Sequence, residues 1–172
     1  MSRDVTYMEV INPANGKTVK SIPVWDNSTI EQALEEVAAA TPAWADLALS
    51  KRAEIVEKAG KVLRKNKDKY AAIITEEMGK LINDARAEVE KCASVCDFYA
   101  QKGAAFLADE IIESDAGKSY VTHQPLGTVL AVMPWNFPLW QVLRFAAPPL
   151  IAGNTGVLKH ASNVPQCALA IE

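Results

Sequence analysis

Cysteine is scarce in this 172-residue chain. Cys92, Cys96 and Cys167 form an odd set, and none stands in a CxxC or Cys/His ligand spacing. That excludes a disulfide framework, and no zinc or other metal site is expected. Basic charge is not in excess either: 18 Lys and Arg face 21 Asp and Glu, for a formal net charge of -3. No global attraction therefore draws the chain to nucleic acid or to an anionic membrane surface, and any anion site must be local. Long apolar runs are missing too. The opening MSRDVTYMEV mixes charge with apolar residues, so neither a secretory signal nor a membrane anchor is expected, and the cytoplasm is the expected location. There is no internal repeat or low-complexity segment. What is present is a composition of 49% hydrophobic and 23% charged residues, which suits a soluble globular protein with a real core.

Organisation follows from local patterns. INPANGKTVKSIPVW carries turn signals at Asn12, Pro13 and Asn15-Gly16 before an alternating stretch, and it reads as a hairpin. Ser28 with Glu31 forms a capping box. Ile30, Ala33, Leu34 and Val37 recur behind it at helical spacing, and Pro42 is the expected stop. A second helix presents Val56, Ala59, Val62 and Leu63 on one side. A third is capped by Asn66, carries Tyr70, Ile73 and Ile74, and stops at Gly79. The fourth follows Asn83, with Ala85, Val89, Cys92, Cys96 and Tyr99 as its packing stripe.

Near residue 110 the pattern changes. KSYVTHQ and GTVLAVM, parted by Pro125-Leu126-Gly127, read as consecutive strands. PLWQVLRFAAPPLIAG reads as a helix ended by Pro148-Pro149 or by Gly153. NTGVLKH reads as a buried strand, and Asn163 with Pro165 starts a last helix expected to run through Glu172. Strand, helix, strand, helix at this end is the pattern of a parallel α/β sheet with further units to come.

Chemistry concentrates where the apolar strand runs into Pro134-Trp135-Asn136-Phe137-Pro138. Two prolines fix the backbone around an amide, so the Asn136 carboxamide can be held in one place at a strand end. Its NH2 is a neutral donor suited to a developing oxyanion. On spacing alone, capping of the following helix is the better supported role.

PWNFPL followed by AGNTGVLKHAS resembles the aldehyde dehydrogenase superfamily in motif and in spacing, and INPANGK and TEEMGK extend the resemblance over essentially the whole chain. The resemblance implies an α/β fold: N-terminal helices, the first units of a parallel Rossmann-like cofactor-binding sheet, and β-strands of an oligomerisation extension near 118–131. It implies that Asn136 stabilises the oxyanion formed when a cysteine attacks the aldehyde. It makes Val132, Met133 and Trp135 contacts of NADP or NAD, and Lys159 a ligand of the adenosine ribose. Ser162 stands where many NAD-preferring relatives have Glu, so a charge barrier to the 2′-phosphate is missing. His160 stands where the family commonly has Pro, and it is given no catalytic role. Cys92, Cys96 and Cys167 are read as packing residues. By the same resemblance the nucleophilic Cys, the general-base Glu and the Gly-rich segment near the pyrophosphate lie beyond residue 172.

Arg144 lies eight residues after Asn136. On one continuous helix that is a little over two turns, with about 12 Å of axial separation. In succinate-semialdehyde dehydrogenases the position is an Arg that holds the substrate's far carboxylate, and Trp140 would wall the same channel, although core packing explains Trp140 equally well. The expected activity is oxidation of an aldehyde bearing a carboxylate, through a thioester, by a homodimer or homotetramer. An aldehyde dehydrogenase of another substrate range and a noncatalytic folding or interaction module are the alternatives.

Overall fold

The computed structural model describes residues 6–172. An antiparallel hairpin comes first, β1 (Tyr7–Ile11) with β2 (Thr18–Pro23). Its turn closes through Asn12, whose side chain accepts from Ala14 N and whose carbonyl accepts from Gly16 N. Gly16 takes the positive φ of 69° that this turn requires.

Four helices follow: α1 (Asn27–Asp46), α2 (Leu49–Lys65), α3 (Lys67–Met78) and α4 (Ile82–Phe106). The expected capping box at Ser28 is not the start of α1. Asp26 is the cap, accepting from Thr29 N at 2.9 Å, and Ser28 donates its hydroxyl to the same carboxylate. Pro42 does not end α1. It lies inside the helix, one residue after Thr41, whose hydroxyl donates to Val37 O and also meets Thr128 and Thr155. Trp44, a turn further on, donates from Nε1 to Leu150 O. These tertiary anchors hold the last turn in place despite the proline. The expected apolar face of α1 is not buried: Ile30 and Leu34 are exposed, and no residue of the helix is fully covered.

On α2 the buried side is Arg52, Val56, Gly60 and Leu63, while Val62 and Ala59 face outward. Gly60 lets α4 approach closely, since a Cβ there would lie 3.1 Å from Ala93 O. Gly79 ends α3 in the left-handed conformation at φ 77°, donating to Thr75 O. The fourth helix begins at Ile82, slightly before Asn83, and its stripe of Ala85, Val89, Cys92 and Cys96 is buried as its spacing predicts.

The remaining chain builds β3 (Glu110–Ile111), β4 (Tyr120–Val121), β5 (Thr128–Met133), α5 (Trp140–Ile151), β6 (Thr155–His160) and α6 (Pro165–Leu169). The two strand segments read as consecutive do not pair with each other. β4 pairs with β3 as a short antiparallel hairpin, and β5 pairs with β6 in parallel, from Thr128↔Thr155 to Met133↔His160. Residues 128–131 therefore lie in the parallel pair.

Of the two expected stops of α5, Gly153 is the one used. Pro148 and Pro149 stay within the helix, and Gly153 follows its end at φ 93°. Leu139 rather than Asn136 occupies the N-cap of α5. The last helix starts from Val164 with Pro165 in its first turn, and it ends at Leu169 instead of running through Glu172. One core joins α2, α3, α4, α5 and α6 through residues such as Ile74, Val89, Cys92, Leu139, Ile151 and Cys167. No helix of the described residues is long and apolar enough to cross a membrane.

Candidate active site at the ends of the parallel strands

Residues 134–139 link the C-terminal end of β5 to α5, and two of the six are prolines without a backbone N–H. Such a segment cannot satisfy its polar groups by regular pairing, so side chains must do so. Glu88, on the buried stripe of α4, accepts from Leu139 N and Trp140 N through Oε1, at 3.0 Å each. Its second oxygen takes the ammonium of Lys80, which also donates to Asn136 O at 3.2 Å and lies 3.7 Å from the Phe137 ring centroid. From the other side His160 Nε2 meets Pro138 O at 2.7 Å. Ala161 N donates to His160 Nδ1 at 2.8 Å, so Nδ1 is the bare nitrogen and Nε2 carries the proton. Burial, reinforced by the Lys159 charge, lowers the His160 pKa against the raising influence of its bond to Pro138, which favours the neutral ring that this geometry requires.

Asn136 itself is exposed, and among the described residues its carboxamide has no hydrogen-bond partner, because the first N–H groups of α5 go to Glu88 instead. The capping role favoured by spacing alone is thus not realised. Asn136 precedes α5 instead of lying on it, so the helical measure between Asn136 and Arg144 does not apply.

Trp135, half-exposed, and Ser162 line one open cleft of about 680 Å³ beyond the strand ends, together with Met8, Ile11, Pro13 and Met78. Glu77 borders it but is committed elsewhere, since its two oxygens accept from Gln166 N at 2.6 Å and Cys167 N at 2.8 Å, capping α6. Burial raises its pKa and those two bonds pull it down. Val132 and Lys159 are register partners, so their side chains share one face of the strand pair, and both are exposed. Met133 lies on the other face and packs against the core.

Arg144 is exposed and donates to Gln141 Oε1 at 2.9 Å. It forms no salt bridge among the described residues, although a surface ion pair is the default for such a side chain. Trp140 is half-buried against the core, with the Lys91 ammonium 4.1 Å from its ring centroid. Asn136, Arg144 and Trp140 do not line the cleft that holds Trp135 and Ser162.

All three cysteines are free thiols in buried positions. Burial pushes the Cys96 thiol up to about 11, and it drives those of Cys92 and Cys167 higher still. None of them is a ready thiolate nucleophile.

The residues absent from the sequence reading are Lys80 and Glu88. A glutamate at position 88, between Ala85 and Val89 on an apolar stripe, was the readable signal, because a charge on a core-facing position needs a buried partner. That partner, Lys80, lies in the connection just before α4, and nothing local pointed to the distant loop that both residues hold.

The profile described as the aldehyde dehydrogenase family matches residues 1–172. A probable NADP(+) succinate-semialdehyde dehydrogenase of Synechocystis sp. is 51% identical over 161 residues, covering 94% of this chain and 36% of that protein. An NAD(P)+ succinate semialdehyde dehydrogenase of Escherichia coli is 46% identical, over 96% of this chain and 36% of its own length. Among solved structures, succinic semialdehyde dehydrogenase from Streptococcus pyogenes in complex with NADP+ superimposes with a TM-score of 0.91 at 36% identity, covering 96% of this chain and 36% of that one. The chain thus spans about 36% of the length of these relatives.

Proposed function

Because the chain belongs to the aldehyde dehydrogenase family, we propose that it supplies the oxyanion donor and part of the cofactor and substrate surfaces of an NAD(P)-dependent enzyme oxidising succinate semialdehyde to succinate through a cysteine thioester. The observation that carries this reading is Asn136: an exposed carboxamide with no capping duty, in a loop held by its backbone at the end of a parallel strand. When a nucleophile adds to an aldehyde, the carbonyl oxygen gains negative charge. An amide N–H preorganised toward that oxygen lowers the barrier by about 3 kcal/mol.

The strand ends suit a nicotinamide dinucleotide. Ligands of open α/β sheets bind beyond the carboxyl ends of the strands, where Val132 and Lys159 stand side by side and Trp135 and Ser162 share a cleft. Met133, from the packed face of β5, supports the floor of that site. The Lys159 ammonium can donate to ribose hydroxyls, and the Ser162 hydroxyl can donate to a 2′-phosphate without bringing a charge of its own. Bound there, NADP or NAD supplies the hydride acceptor. Relatives named for NADP(+) and for NAD(P)+ support acceptance of either cofactor.

Substrate choice falls to Arg144. Its guanidinium is exposed and engaged only by the neutral Gln141 among the described residues, so its fork is available to a carboxylate, which it matches with two parallel N–H donors. Trp140, one turn earlier, walls the same channel in this reading. The β3–β4 hairpin, with Ile111, Tyr120 and Val121 exposed, suits a strand extension that joins subunits into a dimer or tetramer. Free thiols and the absence of disulfides among the described residues suit a cytoplasmic enzyme.

The deciding experiment is Arg144→Leu in the full-length enzyme. Loss of a charge-assisted carboxylate contact should raise KM for succinate semialdehyde about 10- to 100-fold and leave butanal turnover unchanged. Equal effects on both substrates, or none on either, would remove the carboxylate assignment while leaving the family membership intact.

A further inference from the structure

Side chains from outside the loop that carries Asn136 hold it at four backbone polar groups. The Asn136 carbonyl takes Lys80, the Pro138 carbonyl takes His160, and the Leu139 and Trp140 N–H groups share one oxygen of Glu88. The three gripping side chains come from three places in the fold: the α3–α4 connection, the buried stripe of α4, and the last residue of β6. All their bonds to the loop fall within residues 136–140, and the Asn136 carboxamide is left free.

Each gripping side chain is itself fixed. The Lys80–Glu88 pair is buried, with side-chain exposures of 11% and 1%. A buried ion pair is costly unless its remaining hydrogen-bonding capacity is satisfied, and here that capacity goes to the loop. His160 is locked in a single tautomer by Ala161 N, so its Nε2–H has one direction and one acceptor. Packing alone would be served as well by apolar side chains at these positions. What the polar set adds is a defined position for five consecutive residues, approached from both sides.

We propose that Lys80, Glu88 and His160 are positioning residues that clamp the backbone of residues 136–140 and so hold the Asn136 carboxamide as a preorganised donor. This rests on the oxyanion reading of Asn136. Reactions that depend on a placed donor are sensitive to small shifts, with displacements near 1 Å costing up to about 100-fold in rate. The clamp therefore acts on the chemical step and leaves ground-state binding nearly unchanged.

The test uses the full-length enzyme with His160→Phe, His160→Gln and Lys80→Met, each alone and combined with Asn136→Ala. His160→Phe and Lys80→Met should lower kcat about 10-fold or more, with KM for aldehyde and cofactor within about twofold. His160→Gln keeps a neutral N–H donor and should retain most of kcat. In the Asn136→Ala background the same substitutions should have no further effect on kcat; a full additional loss there would overturn the proposal. Amide exchange read by mass spectrometry gives an independent arm. Peptides covering 134–140 should exchange faster in His160→Phe and Lys80→Met while α4 stays protected, and unchanged exchange in the loop would overturn the clamp whatever the kinetics. If α4 also loses protection, His160→Gln decides: recovery of loop protection and of kcat supports the clamp, and no recovery overturns it. Wild-type kcat in Asn136→Ala alone would instead sink the oxyanion reading, with the exchange arm still deciding whether the clamp holds the loop.

Discussion

Arg52, Glu77 and Glu88 are charged residues on core-facing positions, and each serves the polar end of a helix. Arg52 donates to the carbonyls of Ala45, Leu47 and Ile151, closing the C-terminal ends of α1 and α5. Glu77 caps α6, and Glu88 caps α5. The signs agree with the helix dipole, cations at C-termini and anions at N-termini. At the same scale Ser162 is read as the residue that permits a 2′-phosphate. Ser162→Glu in the full-length enzyme should weaken NADP about 10-fold or more through like-charge repulsion and leave NAD nearly unchanged. Steady-state KM values for the two cofactors check this, and parallel losses would show that position 162 does not read the phosphate. Lys159, Ser162 and Arg144 are singled out as candidates by motif and position alone. Lys80 is not, because its partners stand 8 and 56 residues away in sequence.

Helices α4 and α5 meet where Gly103 faces Ile151. A Cβ at Gly103 would overlap Ile151 Cγ2 and lie 3.5 Å from Ile151 Cβ. Ile151 is fully buried and β-branched, so it has little room to rotate away. Gly103→Ala should therefore destabilise the fold by about 1–3 kcal/mol, even though alanine favours an isolated helix by about 1 kcal/mol over glycine. A fall in the urea midpoint at unchanged slope is the expected result. A rise would mean that the two helices separate without cost, and that the end of α5 is not set by this contact. The stripe of α4 was readable from its spacing. The persistence of α1 past Pro42 was not, because it depends on Trp44 and Thr41 reaching residues more than 80 positions away.

Viewed whole, the molecule buries its helices unevenly. The α2–α4–α5 side is closed, while Leu81, Ile111, Leu126, Leu130 and Val132 are exposed large apolar side chains. The parallel pair β5–β6 has no third strand among the described residues, so both outer edges present unpaired backbone groups. Exposed edges and apolar surface of this kind promote association. The chain expressed alone should form dimers or larger species at about micromolar concentration in sedimentation velocity, consistent with the exposure of aggregation-prone strands. A single monomeric species with a cooperative melt would show that this surface is tolerated in water.

The sequence by itself determined most of the element types, the packing faces of α3 and α4, the hairpin turn at Asn15-Gly16, the parallel strand–helix–strand unit and the motif that marks the family. These depend on short-range spacing and turn chemistry, which act within a few residues. Only the tertiary structure decided which strands pair, where α1, α5 and α6 stop, that Asn136 stands before its helix with a free carboxamide, and that Lys80, Glu88 and His160 converge on its loop. The reason is physical: a proline, a polar loop or a buried charge is stable only if partners satisfy it. Those partners come from segments distant in sequence, and packing alone brings them together.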